Sequence, residues 1–102
     1  MKVYLSGPIT GLDDKEVKEN FHKAALEVAK MFPSADIISP YALCRGMPFK
    51  EWKDFMQICL KILSECDMIY MMKDWALSYG CMTEYYFAAG CKIRTLLYDK
   101  DN

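Results

Sequence analysis

The chain has 102 residues, 53% hydrophobic and 26% charged, which fits one globular domain (1–102) with a modest core and excludes a disordered chain. A net charge of −1, with basic residues scattered rather than clustered, excludes a nucleic-acid-polymer partner bound by phosphate neutralisation. Five cysteines without CxxC spacing and a single histidine, His22, suit reduced thiols in a cytoplasmic protein better than a disulfide framework or a zinc site. No signal-peptide pattern follows Met1-Lys2 and no apolar run is long enough to span a bilayer, so no membrane partner is expected.

Taken in order, Lys2-Val3-Tyr4-Leu5 is β-prone and reads as a first, central strand. The loop Ser6-Gly7-Pro8-Ile9-Thr10-Gly11 follows, with two hydroxyls and two glycines that let a backbone approach a ligand closely. It lacks both GxGxxG and the GK[ST] ending of a P-loop, so alone it is also an ordinary turn. Asp13 or Asp14 can cap a helix over Asp14–Met31, where Val17, Phe21, Ala24, Val28 and Met31 recur along one face. His22 reads as a surface histidine of that helix. Phe32-Pro33 ends it, Asp36–Ser39 is a short strand closed by Pro40, and Tyr41 to Pro48 reads as irregular, with Gly46 and Pro48 as breakers.

A second long helix is expected over Phe49–Ser64, with Phe49, Trp52, Phe55, Cys59, Ile62, Leu63 and Cys66 as its buried stripe. Met68–Met72 is an apolar strand. A polar turn holding Trp75, Ser78 and Gly80 leads into a third helix that carries Glu84 and stops at Gly90. Lys92–Tyr98 is a last strand and Asp99–Asn102 a polar tail. Strands alternating with helices predict an α/β fold, a small flavodoxin- or Rossmann-like three-layer domain with a mainly parallel sheet of about four to five strands.

The chemistry should then gather at the carboxyl ends of the strands, where open α/β sheets bind ligands. Glu84 is the leading candidate there. A glutamate early in a helix also complements the helix dipole whatever its chemical role. Ser78 and Gly80 can hold an anion or a hydroxyl, and Trp75 can stack on a ring or a sugar or serve as an interface aromatic. Tyr4 can hydrogen-bond a carboxylate across the cleft, or its ring can simply be core.

Three motifs taken together (VYLSGPITG, the W-x₆-C of Trp52–Cys59, and CDMIYMMKDWALSYGCMTEYYFAAG) resemble the DUF4406 group of the nucleoside 2-deoxyribosyltransferase-like superfamily, common in bacteria and their phages. The resemblance spans nearly the whole chain and implies a flavodoxin-like parallel sheet with no metal or redox cofactor. It implies a nucleoside or nucleotide as the small-molecule partner, and cleavage or transfer of its N-glycosidic bond. Glu84 would then be the catalytic nucleophile and Tyr4 the residue that orients it. The loop residues Ser6, Gly7, Pro8, Ile9, Thr10 and Gly11 would touch sugar and 5′-phosphate, with Ser78 and Gly80 in the segment just before the nucleophile. A serine at the Ser78 place leans toward a phosphorylated ligand. Active relatives carry a general-acid aspartate eight residues before the aspartate matching Asp67, and that position here is Cys59. Asp54 lies more than one turn too early to replace it. The same resemblance implies a homodimer or higher homo-oligomer, with exposed aromatics such as Trp75, Tyr79, Tyr85 and Tyr86 available to an interface.

Overall fold

Four short runs supply a wholly parallel sheet in the computed structural model, which describes residues 1–44 and 51–98. Strand β1 is Lys2–Ser6, β2 Asp36–Ile38, β3 Met68–Met71 and β4 Arg94–Leu97, in the spatial order β2-β1-β3-β4. Register pairs Tyr4 with Ile38 on one side and Ile69 on the other, and Tyr70 with Leu96. β3 is apolar throughout and buried at every residue, as a central parallel strand covered on both faces should be. β1 is buried from Val3 to Ser6.

Side-chain alternation along the strands divides the core in two. Val3, Leu5, Met68, Tyr70 and Met72 face helix α1 (Asp14–Met31), whose Val17, Phe21, Ala24 and Val28 pack onto them. Tyr4, Ile69 and Met71 point the other way, onto α3 (Trp52–Ser64) and α4 (Tyr79–Gly90), through Cys59, Leu63, Cys81 and Ala88. The connection from β1 goes to one side of the sheet and the connections into β3 and β4 to the other. The boundary between β1 and β3 is therefore the point where the winding reverses.

Several expectations need correction. Tyr41–Cys44, read as irregular, belongs to a short helix α2 (Pro40–Cys44). Its cause is a local start signal. The Ser39 hydroxyl accepts the Ala42 N–H at 3.3 Å, and Pro40 stands at the first helical position, where its fixed φ suits a helix and its missing N–H costs nothing. The third helix starts earlier than its polar sequence suggests. Ser78 is its cap, accepting the Cys81 N–H at 3.3 Å, so Gly80 lies in the first turn of α4 rather than in the preceding loop. A 3₁₀ turn at Trp75–Leu77 fills the connection from β3. Gly90 is the last residue of α4, and the left-handed position beyond it is taken by Lys92, at φ +60°, which delays β4 to Arg94. Ser6, expected to open the loop, is the last residue of β1. Trp52, expected in the buried stripe of α3, is 48% exposed. Gly46, Pro48, Phe49 and Asp99–Asn102 lie outside the described residues.

Among the described residues no helix is long and apolar enough to cross a membrane. All five cysteines are free thiols, four of them buried.

Candidate active site at the carboxyl edge of the sheet

Tyr4 and Ser6 are two residues apart on one strand, so both side chains leave the same face of the sheet. Glu84 reaches them from the second turn of α4. The Tyr4 hydroxyl donates a short hydrogen bond to Glu84 Oε2, and the Ser6 hydroxyl donates to Oε1 at 2.8 Å. Each carboxylate oxygen thus has its own donor. The pair spans 78 and 80 residues of sequence, so it exists only because β1 and α4 meet at the β1/β3 boundary. Ser6 is wholly buried and Glu84 is 6% exposed.

Burial pushes the Glu84 carboxyl above its ordinary range, and the two hydroxyl donors draw it partly back. Tyr4 is pushed strongly upward, first by burial and then by the neighbouring Glu84 charge, so it stays a neutral phenol that donates. No cation contributes to either shift. A buried carboxylate held only by neutral hydroxyls is a costly arrangement, and perturbed acids of this kind concentrate at functional sites.

Glu84 faces a narrow cleft of about 20 Å³, lined also by Gly7, Ile9, Pro40, Trp52, Phe55, Met56, Cys59, Ser78 and Gly80. Cys59 is 1% exposed and neighbours both the Tyr4 hydroxyl and the Cys44 thiol. It therefore satisfies both readings of its position: it is packed in the core and it forms part of the cleft wall. Burial pushes its thiol up to about 12, so it keeps its proton at neutral pH.

A second, larger groove of about 750 Å³ runs over the carboxyl edge and onto the α1 face. Pro8, Thr10, Ser78 and Tyr79 line its mouth, Asn20, Lys23 and Glu27 of α1 form one wall, and Tyr70 and Tyr98 lie along it. Tyr70 donates to the Glu27 carboxylate at 2.7 Å.

The residues expected to bind a ligand therefore divide. Gly7, Ile9 and Gly80 are in the narrow cleft, Pro8 and Thr10 in the groove, and Ser78 in both. Ser6 is spent on Glu84 and the Ser78 hydroxyl on the cap of α4. Gly11, at φ +83°, shapes the loop without lining either cavity. Trp75 lines neither; it stacks on Tyr85 with ring centroids 4.8 Å apart. His22 is exposed, as expected. Among the described residues no group of three His, Cys, Asp or Glu side chains could hold a metal ion.

Sequence reasoning passed over the wall formed by Trp52, Phe55 and Met56. Their spacing, continued by Cys59, is the helical stripe that marks a core face. Nothing in that spacing says that the amino end of the stripe overhangs the sheet edge. Gly80 was a usable signal. A Cβ there would come within 2.9 Å of the Trp52 ring, so the glycine is what allows α4 and the indole to meet.

The fold defines the class: a doubly wound parallel α/β domain. It is similar to the solved 2-desoxiribosyltransferase from Leishmania mexicana, with a TM-score of 0.67 and 14% identity over 95% of this chain. The chain spans 63% of the length of that neighbour, and at that identity the likeness concerns the fold. No curated protein matches the chain in sequence. The family is settled by its own model: the chain belongs to DUF4406, a domain of unknown function, matched over residues 1–97.

Proposed function

We propose that the chain binds a nucleoside or nucleotide at the carboxyl edge of its sheet and breaks the N-glycosidic bond, with Glu84 as nucleophile. The observation that carries this reading is the Glu84 carboxylate, 6% exposed, bonded by Tyr4 and Ser6 and facing a cleft. A Glu84 oxygen attacks the anomeric carbon, the C–N bond breaks, and the base leaves with the electron pair. The resulting glycosyl ester is then attacked by water, giving hydrolysis, or by a second base, giving transfer, and the carboxylate is released. This divides one difficult substitution into two easier ones, as in retaining glycosidases. Tyr4 and Ser6 fix the orientation of the attacking group, and burial strips it of water. The same reading carries a homodimeric or larger assembly in a cytoplasmic setting.

The test is incubation with a panel of (deoxy)nucleosides and their 5′-monophosphates, following free base by chromatography. Glu84→Ala should lower turnover by more than roughly a thousandfold. Undiminished turnover removes Glu84 from the role.

A second reading rests on a specific observation. Among the described residues, the only titratable side chain lining the cleft besides Glu84 is Cys59, whose thiol is pushed up to about 12. So weak an acid protonates a departing base poorly. The cleft then holds a nucleotide without turning it over. Calorimetry that finds nucleotide binding with no base release supports this reading, and absence of binding to every nucleotide class eliminates it.

A further inference from the structure

Among the described residues, the narrow cleft and the large groove share two, Ser78 and Trp52. About 20 Å³ is room for one water molecule, whereas about 750 Å³ lies within the range of cavities that enclose whole small-molecule ligands. A sugar ring therefore does not fit against Glu84 in this arrangement, although the space for the rest of a nucleotide is already open beside it.

Of the two shared residues, Ser78 is held by the Cys81 N–H at 3.3 Å as the cap of α4. Trp52 is the first residue of α3, 48% exposed, with its ring stacked on Phe55 at 5.2 Å. Its indole edge lies on the bare backbone of Gly80, close enough that a Cβ there would sit 2.9 Å from one ring atom and 3.5 Å from another. The boundary between the compartments is thus one aromatic ring seated on one glycine.

We propose that Trp52 partitions a single two-compartment site, and that a ligand seated in the large groove reaches Glu84 only when the indole leaves Gly80. The inference rests on the reading of Glu84 as the reacting group. It adds a residue that decides which part of the ligand enters: the sugar passes the indole, and the remainder stays in the groove among Tyr70, Tyr98, Lys23 and Lys73. Gly80 is a necessary part of the device, since any side chain there would prop the ring away.

Cys59 supplies a reporter that does not depend on activity, because it is 1% exposed and lines the narrow cleft together with the indole. Labelling with methyl methanethiosulfonate at fixed pH, quantified residue by residue by peptide mass spectrometry, reads access to it. Cys66, buried where α3 leads into β3, reports global loosening. Gly80→Ala and Trp52→Ala are expected to speed Cys59 labelling at least tenfold with Cys66 unchanged, and Trp52→Phe to fall between them and wild type. Gly80→Ala keeps a helix-compatible residue in α4, so the test survives if Trp52→Ala fails to fold. Unchanged Cys59 labelling in the folded variants overturns the proposal, as does labelling of Cys59 and Cys66 that rises together. Deoxynucleoside monophosphates should slow Cys59 labelling in Gly80→Ala. If the variants open the cleft but no nucleotide protects Cys59, the partition stands and the nucleotide reading of Glu84 falls.

Discussion

Replacing Glu84 by glutamine should stabilise the folded chain, and only above mildly acidic pH. The carboxyl is 6% exposed, and its partners are the Tyr4 and Ser6 hydroxyls. Burial raises its pKa, and the hydroxyl bonds offset part of that rise. The native state therefore binds more protons than the unfolded chain, where a glutamate titrates near roughly 4.3. Stability falls as pH rises from that value through the raised native one, and is level above it. Below the window the group is protonated in both states and contributes nothing. Desolvating a carboxylate costs several kcal/mol, and each hydrogen bond to a charged group returns roughly 1.5–3 kcal/mol, so two such bonds leave a small net cost. An amide of the same shape avoids the charge, and either hydroxyl can rotate to accept from its NH₂. The gain at neutral pH should be about 1 kcal/mol, equivalent to roughly 4–8 °C in Tm for a domain of this size. Urea unfolding of both proteins between pH 4 and 8, followed by circular dichroism, measures the difference. The gap should open with rising pH and then level off. A variant less stable by the same amount at every pH, or a gap that closes as pH rises, would refute the reasoning, because either means that the ionised carboxylate stabilises the fold.

Three further outcomes follow from neighbouring geometry. Cys59→Asp, which places an acid at the position that the resemblance matches to a general acid, should raise base release by roughly 10²-fold while lowering stability by a few kcal/mol, since the position is 1% exposed and close to Glu84; a folded variant with no gain on the nucleotide panel removes the match of Cys59 to that acid. Gly7→Ala puts a Cβ 2.5 Å from Met72 Sδ and 3.2 Å from its Cβ, inside the α1-side core, and should cost about 1–2 kcal/mol in urea unfolding; a neutral result would mean that Met72 and the loop yield freely. Lys92→Gly relieves a left-handed residue at φ +60° and should add about 0.5–1 kcal/mol, read as a higher urea midpoint.

The parts of the fold that depend on periodicity were legible in the sequence. The helix over Asp14–Met31 and the strand at Met68 are written in spacing and in an unbroken apolar run, and both stand where expected. Elements that start from local hydrogen bonds were harder to read. α2 rests on Ser39 and Pro40, which resemble the punctuation of a loop until the hydroxyl is seen to accept Ala42 N–H. Ser78 and Gly80 looked like a ligand turn because serine and glycine serve loops and helix starts alike, and here the backbone takes the serine first. The Glu84 site was partly legible through its residue types and the resemblance to a known group. Its two-compartment form was not, because it depends on where the first turn of α3 overhangs α4, a tertiary relation that no spacing encodes.

The division of the site follows from the alternation that divides the core. Tyr4 and Ser6 are committed to the α3/α4 face by their parity on β1, so any carboxylate they hold must come from that side. Tyr70 and Met72 have the opposite parity with respect to the sheet and face α1, and they open into the large groove. A sheet separates its two faces everywhere except at its edges. At the carboxyl edge Gly7 packs directly against Met72, whose side chain fills the space a Cβ would take. Among the described residues the groove and the Glu84 cleft meet instead at Ser78 and Trp52, so a ligand lying on the α1 side extends an atom to the α4 side past that pair. The ring that stands there, Trp52, belongs to the helix packed against α4 rather than to either strand. It can move without breaking a strand pairing, which places the adjustable part of the site outside the rigid part that orients Glu84.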